Sequence, residues 1–149
     1  MKFNFRLETL MRQRGAERDA AQRIYAEAQN QVQVQLALIK RFYEELDNAR
    51  LLCDQKQSSP GAKSDGLVQI DEYIDGQKIR IRLAREKARE LMAVAEEKLE
   101  ILVDKMQAYK VLEKLKDKKK LEFKKEYKKK QAKDLDDMTV MRTAHRGER

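Results

Sequence analysis

The chain has 149 residues, 40% of them charged, 41% apolar and only 6% aromatic, with no Trp, one Pro, five Gly and a net charge of +8. Between Ala16 and Arg146 its strong chain breakers are Pro60, Gly61, Gly66 and Gly76, which excludes a β-sandwich or an α/β fold, since these need turn residues every ~8–12 positions. The longest apolar run, Leu91–Ala95, is five residues against about 20 for a membrane span, and one Cys with one His cannot supply a His/Cys metal site or a Cys–His catalytic pair.

Residues 3–57 carry apolar side chains at helical spacing. Leu7, Ala21, Ala28, Phe42 and Ala49 share one heptad position; Leu10, Ile24, Leu38 and Leu52 lie three residues on; Met11, Tyr25, Val32, Ile39, Leu46 and Cys53 lie four residues on. This predicts helix 1 over about residues 3–57, with a wide apolar stripe. Arg14, Glu17 and Arg18 interrupt it with one poorly packed turn. Residues 58–66, Ser-Ser-Pro-Gly-Ala-Lys-Ser-Asp-Gly, read as a turn, with Ser64 or Asp65 as the N-cap of a second helix.

Helix 2 is predicted over about residues 67–142. Leu67, Ile74, Ile81, Ala88, Ala95, Leu102 and Tyr109 recur every seven residues, supported by Ile70, Ala84, Leu91 and Leu112 and by Met92, Leu99 and Met106. A sustained heptad implies a left-handed supercoil against a partner helix. Gly76 is a weak point, costing about 1 kcal/mol relative to Ala. Residues 143–149 read as a polar tail.

A short turn between two striped helices favours an antiparallel αα-hairpin. With the turn near Gly61, Leu7 falls opposite Leu115, and the seam of helix 2 turns to Lys116 and Lys119 at that point. The agreement favours a monomeric hairpin over a parallel dimer of extended chains. The fold class is therefore all-α: two long helices forming an antiparallel coiled-coil hairpin, helix 2 longer than helix 1, in one domain over residues 1–149. At 1.5 Å per residue the helices measure roughly 80 and 115 Å. Two packed helices enclose no pocket, so the reading holds no catalytic residue, no cofactor, no metal and no small-molecule substrate.

The charge is concentrated. Residues 110–133 carry 12 Lys against four acidic side chains, and the rest of the chain is close to neutral. Phosphate, anionic lipid, an acidic protein surface or simple solubility each fit a Lys tract. Nucleic acid is disfavoured, because the stretch holds no Arg for bidentate base contacts, and Phe123 and Tyr127 alone make a small stacking platform. A membrane-surface helix wants a broader apolar face. A protein partner suits Leu112, Leu115, Phe123 and Tyr127 docking while Lys residues steer the encounter. Cys53 reads as a packed apolar residue, and the absence of a second Cys and of an apolar leader over Met1–Arg6 fits a cytoplasmic protein. Gln31 and Gln35 on the stripe either fix register or face a partner.

The segments Phe3-x-Phe5-Arg6-Leu7-Glu8-Thr9-Leu10 and Leu112-Glu113-Lys114-Leu115-Lys116-Asp117-Lys118-Lys119, with Tyr127, Gln131, Leu135-Asp136-Asp137 and Arg142, resemble the flagellar FliJ family of the bacterial type III export apparatus. The resemblance covers nearly the whole chain, although the Lys run is richer than the family pattern and Gly76 is unusual. It implies a stalk-like, non-enzymatic coiled coil whose open end inserts into the hexameric export ATPase and stimulates it. It also implies contacts with the cytoplasmic domain of the export gate and with export chaperones, and membrane association only through that apparatus. On this reading the ATPase-binding tip comprises Arg6, Leu7, Leu10, Met11, Leu112, Leu115, Lys116, Lys118 and Lys119. Gln35, Ile39, Phe42 and Leu46 resemble the stripe through which the family meets the gate; they equally fit packing on helix 2. The alternatives are a Lys-rich nucleic-acid- or ribosome-associated coiled coil and a stalk of a related virulence-type secretion system.

Overall fold

The computed structural model describes residues 2–58 and 64–147. All regular structure among them is helical: α1 spans Glu8–Ser58 (51 residues) and α2 spans Ser64–Gly147 (84 residues). The two helices form the predicted antiparallel hairpin, with the second the longer. Pro60 and Gly61, at the centre of the expected turn, lie outside the described residues. The chain divides into two compact units, Ala20–Val103 and Met1–Asp19 with Asp104–Arg149.

In the unit Ala20–Val103 the partners run antiparallel: Gln35 meets Ala84, Phe42 meets Gln77, and Cys53 meets Asp71. Ile81, Ala84, Ala88, Ala95 and Leu102 of α2 are buried, as the heptad requires. On α1 the wide stripe resolves into a narrower one. Ala21, Tyr25, Ala28, Val32, Gln35, Ile39, Phe42, Leu46, Ala49 and Cys53, spaced alternately by four and three, are all shielded. Ile24, Leu52, Met92, Leu99 and Met106, expected to support the seam, are exposed. The reason is geometric: a helix with one partner buries about two of every seven positions, and the third flanking row faces solvent. Much of this seam is Ala, which permits close approach of the helices but contributes little apolar area per residue.

Two buried glutamines pin the register of this unit. Gln35 donates from Nε2 to the Ala84 carbonyl (3.0 Å), and Gln77, only 1% exposed, donates to the Phe42 carbonyl (3.0 Å). Gln35 and Phe42 are seven residues apart on α1, as are Gln77 and Ala84 on α2, so the bonds are reciprocal across one heptad of an antiparallel pair. Gln77 also donates to Glu45 Oε2 (2.9 Å) and accepts from Arg80 Nη1 (3.0 Å). Its amide is thus satisfied on both sides, which is the condition for keeping a polar group in a seam.

In the other unit, α1 begins at Glu8 rather than near residue 3. Residues 2–5 have no regular structure and residues 6–7 form a turn. The Glu8 N–H donates to the Phe5 carbonyl (3.2 Å), and the Glu8 carboxylate sits favourably in the first turn. Phe3 and Phe5 are shielded while Lys2, Asn4 and Arg6 are exposed, an alternation with the period of two that an extended segment has. Burial of two aromatic rings outweighs an extra turn of helix.

The charged interruption of the stripe is also packed. Gly15 lies against the Tyr109 ring, so close that a Cβ there would sit 3.2 Å from Cε2. The Arg18 guanidinium lies 4.1 Å from the centre of the same ring. Glu17 accepts from Arg14 (3.1 Å) and from Lys105 of α2 (3.5 Å). The expected poorly packed turn is therefore an organised polar joint around Tyr109. Finally, α2 continues to Gly147, so residues 143–147, read as tail, are helical. Nothing between Gly76 and Gly147 breaks the helix, and Thr139 and Thr143 donate back to the carbonyls of Leu135 and Thr139 (2.9 Å each).

Candidate functional site

The predicted tip residues come together. Phe5, Met11 and Leu112 form a buried cluster on which Phe3, Leu7, Leu10, Tyr109 and Leu115 pack. Leu7 and Leu115 share this cluster, and next to them Lys116 Nζ lies 2.9 Å from Glu8 Oε2; both contacts agree with the register read from the seam. Of the nine tip residues, Met11 and Leu112 are buried and act as core. Leu7, Leu10, Leu115 and Lys116 are half-buried, while Arg6, Lys118 and Lys119 are exposed. Lys119 is 3.7 Å from Glu122, an exposed pairing that contributes little. The exposed surface is thus cationic, around an apolar cluster.

Phe3, Phe5 and Phe123 extend the cluster beyond those nine residues. The Phe3 ring lies 5.6 Å from Phe123, and Phe123 stacks on Tyr127 at 6.4 Å. An open groove of about 680 Å³ runs beside them, lined by Phe3, Phe5, Leu115, Lys119, Glu122 and Phe123 among others. The signal was the alternation Phe3-x-Phe5, which has the period of an extended segment rather than of a helix.

The second predicted set lies in the other unit. Gln35 (6% exposed) and Leu46 (4%) are buried in the seam, and Ile39 and Phe42 are half-buried. Gln35 is engaged by its bond to Ala84. Any surface here is therefore carried by Ile39 and Phe42. Elsewhere in this unit the exposed Leu36, Met92 and Leu99, with Tyr25, line an open groove of about 400 Å³. Gln77, the most buried polar residue of the seam, was absent from the sequence-derived set; its signal was a polar residue at the heptad position between Ile70 and Ala84.

Two titratable groups are perturbed. The Glu17 carboxyl is held below its ordinary value, chiefly by the hydrogen bond from Arg14 and further by Lys105, against a partial desolvation. Burial pushes the Cys53 thiol up, and the neighbouring Asp71 and Asp54 carboxylates add to it. A buried thiol held in its protonated form behaves as a small apolar side chain, as its place on the stripe suggests. No described helix is long and apolar enough to cross a membrane.

Comparison with protein families gives a match over residues 2–148 to the model described as flagellar FliJ protein. No curated protein and no solved structure matches the chain.

Proposed function

We infer the role of this chain from one premise: it belongs to the flagellar FliJ family, whose pattern it follows from end to end, and so is a component of the flagellar export machinery. We propose that it works there without catalysis, as a stalk-like coiled coil that inserts into the hexameric export ATPase and stimulates it. It links the ATPase to the export gate and to export chaperones, at the cytoplasmic face of the membrane.

One observation carries the ATPase contact. The apolar cluster of Leu7, Leu10 and Leu115 is bordered by exposed Arg6, Lys118 and Lys119, at the start of a stretch of α2 with 12 Lys. Cations around a small apolar patch favour fast, weak and reversible docking on an acidic or polar lining. That suits a single chain facing several equivalent subunits better than a large apolar footprint would. For the gate, Ile39 and Phe42 offer the accessible contact, with Gln35 and Leu46 holding them in place; gate binding that survives Ile39→Asp removes that assignment. The family match supports the flagellar over the virulence-type system.

The test is a titration of the full chain into the export ATPase, following hydrolysis and hexamer formation together. Lys118→Glu combined with Lys119→Glu should raise the half-saturating concentration by about tenfold or more, equivalent to about 1.4 kcal/mol. Helix content measured by circular dichroism should not change, because both side chains are exposed. An unaltered titration at moderate salt removes this end of the molecule as the docking site.

A further inference from the structure

Residues 2–7 are the only described residues outside the two helices. The backbone hydrogen bonds described for this segment run to α1: Glu8 N–H to the Phe5 carbonyl and Met11 N–H to the Leu7 carbonyl. Its hold on α2 is made by side chains. Phe5 shares the buried cluster with Leu112, and Phe3 lies on Phe123. From Asp117 to Gly147 every residue of α2 is exposed except Phe123. Among the described residues, Phe3 is the ring of the first seven positions and of α1 that lies against Phe123. Tyr127 also stacks on Phe123 and is still 41% exposed. Beside them lies the open groove of about 680 Å³, with Lys119 and Glu122 at its edge.

We propose that residues 2–7 form a releasable strap over an apolar docking face of α2 made by Leu115, Phe123 and Tyr127. The strap is closed in the free chain and opens when a partner presents its own apolar side chains to the same groove. The physical argument is one of exchange. An aromatic ring left in water is unfavourable, so the free chain covers it with the nearest apolar group, Phe3. A cover without a backbone ladder to α2 is lost by breaking side-chain contacts alone, and a partner burying equal area restores them. The partner is the one proposed above for this end, the export ATPase, so the release rests on that reading. Closure of the strap is a property of the free chain and does not.

Two measurements separate the parts. The chain has no Trp, so Phe3→Trp introduces a single reporter. Closure predicts emission in the free, full-length protein well to the blue of that in urea, moving red when Phe123→Ala is added. The same emission with and without Phe123→Ala overturns closure. For release, Phe3→Ala is titrated into the ATPase beside Phe123→Ala. Removing the cover should lower the half-saturating concentration, by about tenfold if the open form is about one molecule in ten, while removing the docking face should raise it. A strap that is itself the contact gives the same sign for both variants and overturns release, as does an ATPase indifferent to either. No stimulation by the unaltered chain removes the stalk reading and release with it, and the Trp reporter then decides closure alone.

Discussion

Gly15 and Gly76 both lie inside helices, yet they do different jobs. A Cβ on Gly76 meets nothing within 4 Å, whereas one on Gly15 meets the Tyr109 ring at 3.2 Å. Replacing a helical Gly by Ala gains about 1 kcal/mol from the backbone alone. Gly76→Ala should therefore raise stability by close to that amount in urea denaturation. Gly15→Ala should gain clearly less, because the ring held between this position and Arg18 has to move. Equal gains would mean that the Tyr109 contact is loose. Glu17 belongs to the same joint. Its folded-state carboxyl is held below its ordinary value by Arg14 and Lys105, so it contributes stability above the unfolded pKa, and that contribution is lost as pH falls through the folded one. Urea midpoints of the unaltered chain and of Glu17→Gln should accordingly converge as pH drops from about 6 to about 3, across the ordinary carboxylate range. A constant gap would show that the carboxylate acts by shape and not by charge.

At the scale of the elements, heptad spacing was sufficient for most of the structure. The α2 seam from Ile81 to Leu112, the antiparallel pairing and the Leu7–Leu115 register were legible because each follows from residue spacing alone. Three features were not. The width of the α1 stripe depends on how many partners the helix has, which spacing does not say, so Ile24 and Leu52 were assigned to the interface and are exposed. The start of α1 is decided by tertiary burial of Phe3 and Phe5, which overrides local helix propensity. Of the candidate site, the positions of Leu7, Leu10 and Leu115 were readable, while the aromatic contact of Phe3 with Phe123 joins residues 120 apart and has no local signature. The glutamine pair shows what a polar residue in a seam achieves. Gln77→Ala removes an amide that satisfies Glu45 and Arg80 and should cost about 1–3 kcal/mol. Gln77→Leu should cost less, since an apolar residue of similar size can be neutral or better in such a place, yet it removes one of two register pins. Spin-label distances between α1 and α2 should broaden in Gln77→Leu while its urea midpoint stays near that of the unaltered chain. A single sharp distance would assign the register to the apolar seam.

For the whole molecule, the question that charge must answer is which kind of partner a net +8 selects. The excess lies in residues 110–133, and at about 100° per residue its lysines surround the helix. Lys110, Lys114, Lys118, Lys125, Lys128 and Lys129 fall on one side, Lys116, Lys120 and Lys124 on a second, and Lys119, Lys130 and Lys133 on a third. A nucleic-acid strand lying along one side reaches at most about half of these cations at once, with no Arg in the stretch to read bases. Each phosphate neutralised contributes about 0.7 to the logarithmic salt slope for a single strand. With about six contacts, RNA binding should weaken about 100-fold between 50 and 150 mM salt, and it should be undetectable at micromolar protein at the upper value. A docking site that also buries the Leu7, Leu10 and Leu115 cluster carries a part that salt does not screen. Stimulation of the export ATPase should therefore persist at about 150 mM salt, where RNA no longer competes. Copurifying RNA, or an RNA affinity at that salt equal to the ATPase affinity, would reverse the assignment and make the Lys stretch of α2 a nucleic-acid surface.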